Sequence, residues 1–187
     1  MGCGSGVIGC FFLKKKIIRN IYSSDISSEA IKCSIYNYKS LKANYDIRKG
    51  KNIDIWKGSK FDVIINDIAG ISSKLNKITD WYKYASNNSG PEGVKFTLDI
   101  LDNYRKFLKK NGKLIFPVIS LSNRKKIIDH LKKNKIRHKV LISKDWPLPL
   151  KLNKNIRFLR SLKKQNLINF EEKFNLLIGK TEIFCCS

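Results

Sequence analysis

Apolar and polar positions along this chain change period repeatedly, and the changes mark out an alternation of short strands and amphipathic helices. Gly2 to Gly6 is a glycine-rich turn, and Val7 to Lys16 reads as the helix it opens. Asn20 to Ser24 is a short strand ending at Asp25, after which Ser27 is placed to cap a helix with Glu29 in its first turn. Ile31, Ile35 and Tyr38 fall at i, i+4 and i+7, giving that helix one apolar face. Asp46 to Lys49 suggests a third strand, with Asn52 to Trp56 as its exit. The continuous apolar run Phe61 to Asn66 (FDVIIN) predicts a buried strand, and a looser stretch follows from Asp67 to Pro91.

From Gly93 the spacing of Val94, Leu98, Leu101, Tyr104 and Leu108 predicts one long helix, stopped by Asn111-Gly112. Lys113 to Val118 reads as the next strand, with Pro117 placing its end. Ser122 or Asn123 caps a helix that carries Ile127, Ile128 and Leu131. The remainder predicts a strand near Lys139 to Ser143, a proline-punctuated loop at Trp146 to Pro149, a helix near Ile156 to Leu167, and a closing strand around Asn175 to Phe184. Strands alternating with helices in this way predict an α/β fold with a mostly parallel sheet flanked by helices. With no repeat and no linker, residues 1–187 read as one domain.

Composition narrows the class. The 187 residues are 42% apolar and include 20 aromatics, which supports a buried core and argues against disorder as the main state. No apolar run approaches the roughly 18–20 residues of a membrane span. The lysines at Lys14 to Lys16 follow the apolar stretch rather than precede it, the wrong order for a secretory signal, and the residues after Gly2 fit no lipidation pattern. A soluble cytoplasmic protein without membrane partners is the expectation. The five cysteines (Cys3, Cys10, Cys33, Cys185, Cys186) form no C-x-x-C pair, and with His130 and His138 they match no metal-ligand spacing. They read as reduced structural thiols, with Cys3 a small filler in the glycine turn.

The net charge of +23 would attract phosphate polymers and acidic surfaces. Lys outnumbers Arg 31 to 7, however, and Ile (26) and Asn (17) are abundant too. Those three residue types are what an AT-rich genome supplies, whereas sites selected for nucleic acid favour Arg. Composition bias therefore ranks ahead of nucleic-acid binding as the origin of the charge.

The glycine turn carries the chemistry. Glycines let backbone approach a ligand closely, and the helix behind them offers free N–H groups. Asp25 lies 19 residues beyond Gly6, near the roughly 20 expected of a second-strand carboxylate that takes ribose hydroxyls. The spacing here is G-x-G-x-G (Gly2, Gly4, Gly6), and Val7 stands where a dinucleotide fingerprint requires Gly or Ala. That disfavours an NAD-dependent oxidoreductase.

Gly2-Cys3-Gly4-Ser5-Gly6-Val7-Ile8-Gly9 resembles the first motif of class I S-adenosylmethionine-dependent methyltransferases. Asp25-Ile26-Ser27-Ser28-Glu29-Ala30 resembles their acidic second-strand motif, with Asn37 further along the helix. Asp54-Ile55-Trp56 is similar to the element that holds the adenine, and FDVIIN to the fourth strand. The resemblance covers nearly the whole chain and points to the small-domain, HemK-like branch. It implies a Rossmann-like doubly wound sheet with an antiparallel C-terminal strand. It also implies S-adenosyl-L-methionine as cofactor, held by Gly2, Cys3, Gly4, Gly6, Asp25, Ile26, Asp54, Ile55 and Asn66, with no metal. Asn66 and Asp67 would act on an unidentified protein, RNA or small-molecule acceptor.

Two departures from that pattern stand out. The branch has Asn-Pro-Pro-Tyr after its fourth strand; here Asn66-Asp67-Ile68-Ala69-Gly70 keeps only the leading amide, and Trp81, Tyr82 or Tyr84 would have to replace the aromatic wall. The family also places a strand before the glycine turn, and Met1 stands where that strand would finish, so a truncated frame or fragment is expected. The reading from a different class is a non-catalytic descendant serving as a basic binding module.

Overall fold

The structure is a computed structural model that describes residues 1–68, 70–79, 81 and 89–187. The chain divides into two compact units, Met1–Ser59 and Lys60–Ser187.

In the first unit the glycine turn opens α1 (Val7–Lys14), followed by β1 (Asn20–Asp25), α2 (Ser28–Ser40) and β2 (Asn44–Lys49). The two strands pair in parallel with Asn20 opposite Asn44 and Asp25 opposite Lys49, and α2 is the crossover between them. Ser27 caps α2 as expected, its hydroxyl accepting from the Ala30 N–H. Tyr38 fills the space under α1: it is buried, and its hydroxyl bonds the Ser23 hydroxyl on β1 at 3.0 Å. Packing is tight enough here that a Cβ added at Gly9 would lie 2.1 Å from Ile21 Cδ1 and 2.4 Å from the Tyr38 hydroxyl. A 3₁₀ turn at Ile53–Trp56 closes the unit, with Ile53 and Trp56 buried and the Arg48 guanidinium 4.3 Å above the Trp56 ring.

The second unit contains β3 (Phe61–Ile65), α3 (Lys95–Asn103), β4 (Leu108–Ile119), α4 (Arg124–Lys133), β5 (His138–Pro147), α5 (Ile156–Lys164), β6 (Glu171–Lys173) and β7 (Leu176–Cys186). The strand order is β3-β4-β7-β5, with β6 also on β7. The β3–β4 pair is parallel, and β7 runs antiparallel to β4, β5 and β6, the antiparallel C-terminal strand that the resemblance implies. Phe116 and Phe184 stack at 5.5 Å across the β4–β7 pair. A second cluster joins Leu121, Leu148, Leu152, Leu159, Leu162 and Phe170; each buried aliphatic side chain contributes about 1.5–3 kcal/mol.

Several boundaries differ from the sequence expectation, each for a local reason. The helix after Gly93 ends at Asn103, passes through a 3₁₀ turn at Tyr104–Phe107, and becomes β4 at Leu108. Asn111-Gly112 is therefore not a helix stop. Gly112 lies within the strand, where an added Cβ would meet the Phe61 carbonyl at 2.8 Å. Pro117 is likewise inside β4. The Ile115 carbonyl accepts from the Asn66 N–H on the β3 side, so two residues on Pro117 faces a place beyond the end of β3, and its missing N–H breaks no ladder bond. FDVIIN is a strand but not a fully buried one: β3 ends the strand order and Val63 is 50% exposed. Trp146 and Pro147 belong to β5 instead of a loop. The β6–β7 hairpin has no counterpart in the sequence reading. Its turn residues Phe174 and Asn175 both have positive φ, 50° and 59°, the geometry that suits strand twist.

Candidate active site

The first unit gathers most of the expected cofactor-binding residues into one constellation. Gly2, Gly4 and Gly6 have φ of 67°, 53° and 78°, a left-handed region that costs other residues roughly 1–2 kcal/mol each. The turn is pinned to β1 by the Cys3 N–H donating to the Ser24 carbonyl at 3.1 Å. Asp25, at the end of β1, then reaches both ways: its carboxylate accepts from the Gly4 N–H and from the Ser27 N–H, each at 3.0 Å. Each oxygen keeps lone-pair capacity, and the side chain is only half-buried. The Asp25 carbonyl accepts from the Gly50 N–H at 2.9 Å. Ile55 packs on Gly50, where an added Cβ would meet Ile55 Cγ2 at 2.5 Å. Strand pairing and these contacts thus bring the glycine turn, Asp25 and Ile55 together. Ile26 and Asp54 flank them and are exposed.

Two residues of α2 that support the turn go beyond the expected set. Ser34, fully buried, donates to the Gly4 carbonyl at 2.9 Å and lies 3.4 Å from Cys3 Sγ. Asn37 donates to the Ser5 carbonyl at 2.8 Å. Asn37 is noticed in the sequence as part of the motif. Ser34 is not, although a lone hydroxyl four residues before Tyr38 on the apolar face was a usable signal. Cys3 is a filler as expected: half-buried, with burial pushing its thiol above the ordinary value.

One side of the turn is open. A Cβ placed at Gly4 would meet nothing within 4 Å, whereas one at Gly6 would touch Ser34 Oγ and the Tyr38 ring at 3.0 Å. Gly6 therefore packs against α2 while Gly4 presents bare backbone. No side chain caps α1 and no acidic residue lies in its first turn, leaving its first N–H groups available to an anionic group.

Asn66 and Asp67 stand in the second unit, just past the C-terminal end of β3. Asn66 is 2% exposed, and its backbone N–H bonds to Ile115, but its Oδ1 is buried with no partner among the described residues. Such an acceptor is normally satisfied. Asp67 is exposed at the chain's exit, yet desolvation by the protein around it still raises its carboxyl pKa above the ordinary value. Of the aromatics offered as a replacement wall, Trp81 packs against Trp146 at 6.1 Å on the second unit's core, while Tyr82 and Tyr84 fall outside the described residues. His138 bonds the Ile136 carbonyl and His130 lies 3.0 Å from Asp102, neither beside these groups in sequence. Among the described residues no cluster of His, Cys, Asp or Glu could hold a metal, and no helix is long and apolar enough to cross a membrane.

Residues 1–67, from the glycine turn through Asn66 and Asp67, match the family model described as the methyltransferase small domain. The match spans the first 67 of the chain's 187 residues. The solved structures similar to the chain share its fold. One is a precorrin 8w decarboxylase from Methanobacterium thermoautotrophicum, 14% identical with a TM-score of 0.57, covering 98% of this chain and 77% of that one. Another is a precorrin-6y methyltransferase from Geobacter metallireducens, 10% identical with a TM-score of 0.58, covering 100% and 77%. A third is a ribosomal-protein methylase from Lactobacillus delbrueckii subsp. bulgaricus, 17% identical with a TM-score of 0.52, covering 98% and 66%. Comparison with curated proteins gives no match. The chain's fold is thus of the Rossmann-like α/β kind, as the resemblance implies.

Proposed function

We infer that the protein transfers a methyl group from S-adenosylmethionine, and that the first unit holds this cofactor. The observation that carries the reading is the carboxylate of Asp25 bonded to the Gly4 N–H, which joins the turn and the second-strand acid into one cradle. The residues fit the group. Gly4 leaves room for a close ligand, Asp25 retains acceptor capacity for two sugar hydroxyls, and Ile26 and Ile55 offer apolar surface for a purine. The uncapped start of α1 suits the carboxylate of the amino-acid end.

The bound cofactor supplies a methyl group already activated by its sulfonium, so the protein need only align the attack and exclude water. Gly2, Gly4 and Gly6 give the backbone its shape, Ser34 and Asn37 hold that shape, and Asp25 fixes orientation. On the acceptor side, the orphaned Asn66 Oδ1 is suited to take an N–H from an amide or amine. Asp67, with its carboxyl pKa raised, is a better proton acceptor than an ordinary carboxylate. These two roles follow the resemblance of Asn66 to the leading amide of the branch motif.

Isothermal titration calorimetry with S-adenosylmethionine or its demethylated product tests the reading. The folded chain should bind with one-to-one stoichiometry. A folded sample giving no heat with either would favour the basic binding module instead.

A further inference from the structure

Arg48, on β2, holds the Ile53–Trp56 turn through three contacts made by one planar group. Its Nη1 donates to the Ile55 carbonyl at 2.7 Å, and its Nη2 and Nε donate to the Asp46 carboxylate at 2.7 and 3.2 Å. The third contact is the face of Trp56, 4.3 Å below the guanidinium. In the turn itself, the Asp54 and Trp56 carbonyls are taken by the Lys57 and Ser59 N–H groups, and the carbonyl between them is fixed by this side chain. Trp56 is 3% exposed and meets Tyr22 edge-to-face at 5.6 Å. Strand register sets the arrangement up: Tyr22 stands opposite Asp46 and Ser24 opposite Arg48, one step before Asp25 opposite Lys49. Ile55 is thus held twice, its side chain against Gly50 and its carbonyl by Arg48. Gly50 in turn donates to the Asp25 carbonyl, so the contacts run unbroken from the acidic end of β1 to the turn.

We propose that Arg48 is a positioning residue for the purine end of the cofactor, holding the turn in the shape that presents Ile55 to the base. It acts through Ile55 rather than on the ligand, and the proposal rests on the cofactor reading above. The Asp46 pair alone does not explain the arrangement. Its side chains are 43% and 37% exposed, and ion pairs that open to water stabilise little. The bond to a backbone carbonyl and the seat on a buried indole are what tie Arg48 to the turn. Lysine cannot replace it, because an ammonium is a point charge on a flexible stem, whereas the planar guanidinium serves carboxylate, carbonyl and ring face together. Lys outnumbers Arg 31 to 7 in this chain, so composition favours Lys here, and geometry accounts for the Arg.

The test uses the full chain and S-adenosylhomocysteine, with calorimetry for affinity and amide hydrogen exchange at saturating ligand for the place of contact. Arg48→Met should weaken binding roughly tenfold, the scale of one hydrogen bond to a charged group. Arg48→Lys should weaken it about as much, since charge without the planar fork does not hold the carbonyl. Asp46→Ala, which leaves the bond to Ile55 in place, should cost only about threefold. Ligand should slow exchange over residues 2–10 and 52–57 of the unmodified chain. In saturated Arg48→Met the first segment should stay slowed and the second should not, whereas a merely structural role would release both. Circular dichroism checks each fold, and Arg48→Lys and Asp46→Ala carry the test if Arg48→Met unfolds. Arg19→Met, at another exposed arginine of the same unit, controls for net charge and should bind normally. Full affinity in Arg48→Lys, joint release of both segments, or an equal loss in Arg19→Met would overturn the proposal and leave the cofactor reading standing. No binding by the folded, unmodified chain would overturn both.

Discussion

Replacing Gly6 or Gly4 by alanine separates the two jobs of the glycine turn. Both have positive φ, 78° and 53°, so each alanine pays about 1–2 kcal/mol for the left-handed backbone. At Gly6 the new methyl also meets Ser34 Oγ and two Tyr38 ring atoms at 3.0 Å. Neither neighbour yields freely: Ser34 bonds the Gly4 carbonyl and Tyr38 the Ser23 hydroxyl. Overpacking of this kind costs a further 1–3 kcal/mol or so, and Gly6→Ala should lose roughly 2–5 kcal/mol in all. Gly4→Ala adds its methyl to open space and should lose only the backbone cost, about 1–2 kcal/mol, but the methyl projects where the ligand approaches. Urea unfolding and calorimetry with the demethylated cofactor read the two effects. Gly4→Ala should remain folded and bind at least tenfold more weakly. If Gly6→Ala unfolds at the same urea concentration as the parent, the packing argument is wrong; if Gly4→Ala binds normally, the open side of the turn does not face the cofactor.

Other consequences are smaller in scale. Ser27→Ala removes the cap of α2 and should destabilise by about 1 kcal/mol, measured by urea unfolding, whereas Ser27→Asp should restore most of it. Ser34→Ala removes the donor to the Gly4 carbonyl and should cost roughly 1 kcal/mol while loosening cofactor binding severalfold, an effect calorimetry detects. Burial pushes the Cys186 thiol from its ordinary 9.0 up to about 12. The unfolded chain therefore loses this proton at lower pH than the folded one. That contribution is constant below about pH 9 and erodes stability between there and pH 12. Cys186→Ala should flatten that stretch of the pH–stability curve, and mass spectrometry after brief iodoacetamide treatment at pH 8 should find exposed Cys33 labelled before Cys186.

Much of the first unit was legible in the sequence because its signals are local. Glycine spacing, the Ser27 cap and an acid at a strand's end each constrain the backbone within a few residues, and β1 and α2 follow from them, whereas the Gly4–Asp25 hydrogen bond spans 21 residues and emerges only in the fold. The region from Tyr104 to Pro117 was misread because its apolar spacing suits both a helix and a twisted strand. Gly112 and Pro117, which ordinarily interrupt regular structure, are accommodated by a close approach to Phe61 and by the end of β3. The role of Ser34 depends on a contact across 30 residues, and the orphaned state of Asn66 Oδ1 depends on packing that sequence does not specify. The hairpin of β6 and β7 went unseen because Phe174-Asn175 is an uncommon pair for a turn that needs two positive φ angles.

The central claim is that the glycine turn and Asp25 together hold a sulfonium nucleotide, and amide hydrogen exchange measures this most directly. Adding the demethylated cofactor should slow exchange across residues 2–10 and 25–31, and the slowing should vanish in Asp25→Ala that remains folded by circular dichroism. Unchanged exchange in those two segments, or equal protection in the Asp25 variant, would contradict the account.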